Sequence, residues 1–345
     1  MAPRKRKSRK KKSSHAAGVL LAAFLVMLLA VGAAAWLVLA LYGPESETFV
    51  EVAPGSSTAH IGQQLESAGV VRSRYAFDLL RWVKRGTLRA GEYRFDRPAP
   101  ATEVYARIVR GDVFTKAVTI PEGASIFEIA ARLQQVGFDA EGFLNAAVNQ
   151  AGLVADLDPG AKSLEGYLFP DTYRFARKAT PAQIVAAMVR RFRAVAGQLG
   201  LKGNVHSVVT MASLIERETA VDAERPLVAS VYQNRMAKKM PLMADPAVIY
   251  GLELEGRWRG AIYQSDLSRN TPYNTYLHTG LPPGPVANPG LRSLRAAMEP
   301  AKTDYLYFVA AGANAQGRSV FSSTLDEHNR NVAGYRHAVK KAGGR

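Results

Sequence analysis

Two glutamates, Glu216 and Glu218, flank Arg217 in the segment VHSVVTMASLIERETA, residues 205–220. A carboxyl group shielded from water keeps its proton to higher pH, because burial penalises the charged form, and such a group can act as a general acid. Apolar residues in this segment recur at helical spacing, with Val205, Val208, Val209, Ala212 and Ile215 on one arc and Met211 beside it. On a helix of 3.6 residues per turn Arg217 points away from that arc, and the two glutamates fall on its opposite margins, about 160° apart. They therefore do not form the facing carboxylate pair of a two-carboxylate glycosidase, though either one alone can be half-buried. Periodicity does not choose between them, and the ordinary fate of a helical glutamate is a solvated or salt-bridged surface position.

Other chemistries are poorly served. The chain of 345 residues contains no Cys, which removes disulfides, thiolate metal sites and cysteine nucleophiles together. The six histidines (15, 60, 206, 278, 328 and 337) show neither HxxxH nor HExxH spacing. We therefore expect no metal site and no cofactor.

The glutamates need elements to hold them. Strong helical patterns cover residues 181–197, 205–219 and 225–238, and DYLYFVA (304–310) reads as a buried strand. Between them lie turn-rich segments with many Tyr, Pro, Gly and Asn residues: SLEGYLFPDTYRF (163–175), PLMADPAVIYG (241–251) and NTPYNTYLHTGLPPGPVANPG (270–290). Loops rich in aromatic and amide side chains, carried on long helices, suit a groove for a polar polymer such as a glycan.

The net charge is +16, from 45 Lys+Arg against 29 Asp+Glu, and half of it sits in residues 1–15, with eight basic residues (Arg4, Lys5, Arg6, Lys7, Arg9, Lys10, Lys11, Lys12) and no acidic one. Residues 16–42 then carry no charge at all. As a helix these 27 residues reach about 40 Å, enough to cross a hydrocarbon core of roughly 30 Å. A cleaved signal peptide is the alternative, with Ala33-Ala34-Ala35 as its site, but the apolar run continues through Trp36 and Leu41, and Trp36 and Tyr42 stand where interfacial anchors belong. Basic residues stay on the cytoplasmic side. The expectation is a single-pass membrane protein, amino terminus inside, with residues 43–345 on the outer face. The tail then serves as a topology signal that also meets anionic lipid, and nucleic acid is not expected as a partner.

Beyond the span two stretches match. In VAPGSSTAHIGQQLESAG (52–69) and IPEGASIFEIAARLQQVG (120–137), Gly55, Ile61, Leu65 and Gly69 correspond to Gly123, Ile129, Leu133 and Gly137. Each follows a short strand (49–52; 117–120) and leads through a Pro/Gly turn and an N-cap Ser or Thr into a helix closed by Gly. Each is followed by a Tyr-Arg-Phe strand (93–95; 173–175) and a helix starting near Thr102 or Thr180. A duplicated strand–helix–strand unit is expected, and its strand–turn–helix pieces resemble LysM-type peptidoglycan-binding modules.

The wider pattern is more specific. It includes Glu165-Gly166-Tyr167 with Phe169-Pro170-Asp171-Thr172-Tyr173, the run Ala212 to Thr219 (ASLIERET), Asn234-Arg235, and Asp245-Pro246 with Tyr250-Gly251. Tyr273-Asn274-Thr275-Tyr276, Gly280-Leu281-Pro282-Pro283-Gly284-Pro285, Asn288-Pro289-Gly290, Pro300-Ala301-Lys302 and Tyr305-Leu306-Tyr307-Phe308-Val309 follow in order. Over residues 45–340, and in its membrane anchor, the chain resembles the YceG-like family of endolytic murein transglycosylases.

That resemblance implies an α+β fold: a basic tail (1–15), a transmembrane helix (16–42), a membrane-proximal α/β unit (43–115), a LysM-like unit (116–160) and a catalytic domain (161–340). It implies a lytic reaction on peptidoglycan, in which one carboxylic acid protonates the MurNAc–GlcNAc bridging oxygen. The resulting carboxylate then takes the proton of the MurNAc C6 hydroxyl, which closes on C1. The Glu-Thr pair resembles the catalytic Glu-Ser/Thr of lysozyme-like transglycosylases, which makes Glu218 the acid/base. An oxocarbenium-like transition state favours nearby acceptors and aromatic walls, with Glu165, Asp171, Asp245, Tyr250, Tyr273, Asn274 and Tyr276 as candidates to line the groove. The expected partners are glycan strands, the membrane and peptidoglycan synthases. Two rival functions use the same residues: a hydrolase that delivers water, and a non-catalytic glycan-binding scaffold.

Overall fold

A computed structural model describes residues 12–312 and 317–343. The basic cluster Arg4 to Lys11 lies outside the described residues. The chain divides into two compact units, Met1–Thr115 and Lys116–Arg345.

The first unit opens with α1 (Lys12–Leu39), within which Ala17–Leu39 is long and apolar enough to cross a membrane. Its apolar side chains are exposed until the last turns, where Leu37 and Val38 pack against the unit's core. There follow β1 (Thr48–Val52), α2 (Thr58–Ser67), α3 (Arg74–Lys84), β2 (Gly91–Phe95) and α4 (Ala101–Arg110). Strands β1 and β2 pair antiparallel with Val50 opposite Tyr93. Strand alternation turns Val50, Val52, Tyr93 and Phe95 inward, against Ile61, Leu65, Phe77, Leu80, Val104 and Ile108. Ser57 and Ser73 cap α2 and α3 by accepting hydrogen bonds from His60 and Tyr75 main-chain N–H groups.

In the second unit the same order of elements recurs: β3 (Lys116–Thr119), α5 (Ile126–Gln135), α6 (Ala140–Asn149), β4 (Thr172–Phe175) and α7 (Pro181–Leu199). Strands β3 and β4 are again antiparallel, with Val118 opposite Tyr173. Each repeat holds a second helix, α3 or α6, that the matched segments do not contain. Both α5 and α7 start with complete capping boxes, Ser125 with Glu128 and Thr180 with Gln183.

Next come α8 (Val205–Glu218), α9 (Arg225–Ala237), α10 (Asp245–Leu254), the short α11 (Gln264–Leu267), α12 (Leu291–Met298), the hairpin β5 (Tyr307–Ala310) and β6 (Ser319–Ser322), and α13 (Leu325–Gly343). One apolar core runs from Val118 through Phe143, Leu164, Tyr167 and Phe192 to Val209 and Ala212, so residues 116–160 pack with the helices that follow them. A second gathers Met211, Leu214 and Ile215 with Val228, Tyr232, Ala247 and Tyr250. Helix α8 therefore contributes to both cores and is buried over most of its circumference, beyond the single apolar arc its periodicity implies. The segment 304–310 differs from its expected buried strand: among the described residues β5 pairs only with β6, and Tyr307, Phe308 and Val309 are half-buried.

Candidate active site

Helix α8 ends at Glu218, and Thr219 turns into extended backbone. The Thr219 hydroxyl accepts from Val221 N–H (3.0 Å) and donates to the buried Glu224 carboxylate (3.3 Å), whose other oxygen accepts from Ser319 N–H (2.8 Å). This turn leads into α9, which carries Tyr232 and Arg235 one helical turn apart, on the same side of the helix. The Tyr232 hydroxyl donates to Glu218 Oε1 at 2.7 Å. The Arg235 guanidinium donates to the main-chain carbonyls of Leu306 and Leu242, both at 2.7 Å, and Asn234 Nδ2 donates to those of Thr303 and Tyr305. These bonds hold the approach to β5 and the loop before α10 against α9.

The result is a cavity of about 170 Å³ lined by Glu218, Tyr232, Arg235, Leu242, Met243, Asp245, Tyr276 and Phe308. Asp245 is the first residue of α10, where the helix dipole favours an anion. Its Oδ1 accepts a hydrogen bond from the Tyr276 hydroxyl at 2.6 Å. Met243 has a left-handed backbone (φ 52°), costly for a residue with a side chain. Thr275 supports it: its carbonyl accepts from Met243 N–H at 3.0 Å, and its hydroxyl accepts from Ala244 N–H at 2.9 Å.

Burial pushes the Glu218 carboxyl up to about 7; the Tyr232 hydrogen bond opposes the shift, the negative Asp245 adds to it, and Arg235 opposes it. The side chain keeps part of its surface open to the cavity. A carboxyl group of this kind exchanges its proton near neutral pH, as an acid that must later act as a base requires.

Glu216 occupies a different environment. Its side chain is 4% exposed, pairs with the equally buried Arg225 at 2.6 Å, and accepts from Gly290 N–H at 2.8 Å. Arg225 also donates to Ser293 at 2.5 Å. Glu216 thus joins α8 to α9 and to the start of α12. Arg217, on the third side, donates to Gly123 O and pairs with Glu128.

Of the eight candidate site residues, the fold brings three to one cavity: Glu218, Asp245 and Tyr276. The others engage protein partners elsewhere. Glu165 is buried and accepts from Ile126 N–H (2.9 Å) and Asn288 Nδ2 (2.6 Å), while Asn288 Oδ1 accepts from Leu168 N–H (2.8 Å). Burial raises the Glu165 carboxyl to about 8, against the opposing bonds from Ile126 and Tyr250. Tyr250 packs edge-on to Tyr273, 5.2 Å between ring centroids. Asn274 is buried and donates to the carbonyls of Leu267 and Arg269 while accepting from Tyr276 N–H, which shapes the turn that presents Tyr276. Asp171 pairs with Arg191 at 2.7 Å.

Asp245, one of the expected groove residues, brings a second carboxylate to the Glu218 cavity from α10, an element that a helical wheel drawn for α8 does not include. Tyr232, Arg235, Leu242, Met243 and Phe308 also belong to the cavity, and the spacing of Tyr232 and Arg235 on one helix was the local signal available for two of them.

Comparison with known proteins shows the family to which the chain belongs. The model of the YceG-like family matches residues 50–334. An endolytic murein transglycosylase of Bacillus subtilis is 35% identical over 303 residues, covering 81% of this chain and 82% of the relative. An endolytic murein transglycosylase of Streptococcus pneumoniae is 30% identical over 318 residues, covering 82% of this chain and 57% of that longer protein. A crystal structure of a yceG-like protein from Listeria monocytogenes superposes with a TM-score of 0.53 at 32% identity, covering 83% of this chain and 99% of that one. With the family model spanning most of the folded chain, and a relative of this identity covering four-fifths of it, the chain belongs to the YceG-like family.

Proposed function

We propose that the protein is a membrane-anchored lytic transglycosylase that cleaves MurNAc–GlcNAc bonds within peptidoglycan strands. The observation that carries this reading is the half-buried Glu218, near pH 7 in its proton affinity and open to a cavity walled by Tyr232, Tyr276 and Phe308. The relatives named as endolytic murein transglycosylases supply the substrate class.

In this mechanism Glu218 gives its proton to the bridging oxygen, and the C1–O bond breaks with its electron pair leaving on the GlcNAc oxygen. Positive charge develops at C1 of MurNAc, where the carboxylates of Glu218 and Asp245 oppose it. Glu218, now ionised, takes the proton of the C6 hydroxyl as O6 bonds to C1. The product is a 1,6-anhydroMurNAc end, no water is consumed, and Glu218 returns protonated. Tethering of the C6 hydroxyl to the reacting ring gives it the high effective molarity of an internal nucleophile.

The second carboxylate in the cavity favours one rival, a hydrolase in which Asp245 activates water. The mass of the new MurNAc end separates the two, since the anhydro product is one water lighter. We expect the lighter end, formed within strands and in the presence of a chelator; only the heavier, reducible end would transfer the assignment to the hydrolase.

Further parts of the reading rest on the sequence. The basic tail ahead of α1 supports an orientation with residues 43–345 outside the cytoplasmic membrane. The recurring strand–helix–helix–strand arrangement supports LysM-like glycan contacts by residues 43–160. Tyr250, Tyr273, Asn274, Glu165 and Asp171 then serve the groove by holding its loops or by meeting sugars beyond the cavity. Synthases of peptidoglycan are proposed partners on the same membrane face.

A further inference from the structure

Helix α3 turns Ala76, Phe77 and Leu80 into the core of the first unit. A second face of the helix is also apolar, and it faces solvent: Trp82 is 72% exposed, Tyr75 66%, Val83 61% and Leu79 40%. Tyr75, Leu79 and Trp82 follow one another at the four- and three-residue spacing that aligns side chains along a helix. Monomeric soluble proteins seldom expose such a continuous apolar face without a partner.

The location of α3 identifies that partner. Helix α3 packs against α1, and the contact involves the end of α1, since side chains from Val19 to Val31 are exposed while Leu37 and Val38 meet the core. Just before α3, the Arg72 guanidinium lies 4.3 Å from the Trp36 ring centroid and 4.7 Å from that of Tyr42. A hydrocarbon core takes up about 20 helical residues, so a span beginning at Ala17 brings Trp36 to the interface and α3 with it. Trp36, Leu39 and Leu41 are themselves exposed at this end and extend the apolar surface. Arg72, Arg74, Arg81, Lys84 and Arg85 accompany the apolar side chains, against Asp78 alone, which suits anionic headgroups. Exposed Trp and Tyr with aliphatic neighbours and a basic rim form the pattern of a helix lying in a membrane interface. A glycan surface would need more hydrogen-bonding side chains than one hydroxyl and one indole N–H among these four.

We propose that the exposed face of α3 is a second membrane contact, with Tyr75, Leu79, Trp82 and Val83 inserted at the headgroup–acyl boundary of the leaflet where α1 emerges. The contact would fix the first unit against the bilayer, where α1 alone would leave it free to rotate. This inference rests on α1 spanning the membrane, so the experiment reports on both.

Trp36, Trp82 and Trp258 are the three tryptophans of the chain. Full-length protein carrying Trp36→Phe and Trp258→Phe is reconstituted in vesicles of phosphatidylglycerol and phosphatidylethanolamine, leaving Trp82 as the probe. A companion with Trp82→Phe and Trp258→Phe leaves Trp36. We expect Trp82 emission to be blue-shifted, and quenched more by lipids brominated near the headgroup than by lipids brominated deep in the chains. Quenching of Trp36 without quenching of Trp82 would overturn the proposal and leave the anchor intact. Silence of both probes would remove the anchor and the proposal together. A Trp82 response to soluble glycan strands, with none to brominated lipid, would make the face a sugar platform and also overturn the proposal.

Discussion

The Tyr232 hydroxyl donates a 2.7 Å hydrogen bond to Oε1 of Glu218, and this decides which carboxyl oxygen carries the transferable proton. An oxygen that accepts from a phenol is the poorer site for the acid's own proton, so the proton resides on Oε2. The same bond favours the ionised form and so opposes the burial that keeps Glu218 protonated. Tyr232 is therefore a positioning residue: it orients the acid and stabilises the base that the acid becomes.

Removing that hydroxyl should move the pH profile upward. The free enzyme must hold Glu218 protonated, so kcat/KM falls as pH rises through about 7. In Tyr232→Phe the carboxylate loses its donor, the group stays protonated to higher pH, and the falling limb moves up while the maximal rate drops. A pH–rate profile from release of anhydro ends measures both, and an unmoved limb would refute the assigned role.

Asp245→Asn should move the same limb the other way. The Asp245 charge favours the neutral form of Glu218, so its removal lets Glu218 ionise at lower pH. Asn can still accept from Tyr276, which keeps the 2.6 Å contact and the cavity wall in place. The opposite displacement of these two variants is the check, and a shift in the same direction would rule out the electrostatic account.

The two glutamates of α8 should separate chemistry from stability. Glu218→Gln should lower cleavage by about 10²-fold or more with the fold retained, because the amide can neither give nor take the proton. Glu216→Gln leaves the buried Arg225 with only the half-exposed Asp222, 3.2 Å from its Nε, as countercharge, so the cost approaches the roughly 3–5 kcal/mol of removing one partner of a buried pair. Its denaturation midpoint should fall, while activity per folded molecule is largely kept. A dead but stable Glu216 variant beside an active Glu218 variant would reverse the assignment.

Stability should also carry the mark of Glu218. Its folded-state value of about 7 lies above the ordinary 4.5, so between these values the native state binds more protons than the unfolded chain. Stability therefore falls as pH rises through this window: the contribution is complete below pH 4.5 and gone above about 7. Glu218→Gln has no charge to bury, so it should be more stable than the parent protein at pH 8, with the difference closing toward pH 4.5. Denaturant midpoints at the two ends of the range test this; a constant difference would contradict it.

Local pattern carried a good part of the fold. The helix of residues 205–218, its apolar arc and the glutamates at its margins follow from spacing alone, because burial of a helix face imposes a 3.6-residue period on neighbouring positions. The apolar run of α1 and the paired strands around Tyr93 and Tyr173 were readable for similar reasons: each is a composition or alternation within one short segment. Capping chemistry marked α5 and α7 at Ser125 and Thr180, where side chain and main chain three residues apart satisfy each other.

The sequence by itself determined that α8 would carry one carboxylate on each margin of its apolar arc, either of which could be half-buried, and family resemblance had to choose between them. Tertiary structure decided what surrounds each. Arg225 and Gly290 N–H, 9 and 74 residues away, neutralise Glu216, whereas Tyr232 and Asp245 converge on Glu218 from α9 and α10. It likewise assigned Glu165 to a buried tie with Asn288 across 123 residues, and gave Tyr276 to the cavity. Periodicity reports whether a position is buried, since that depends on neighbours along the same element. Which charge or hydroxyl meets a carboxylate depends on long-range packing of separate elements, and that packing sets whether the group is a structural ion pair or an acid poised near pH 7.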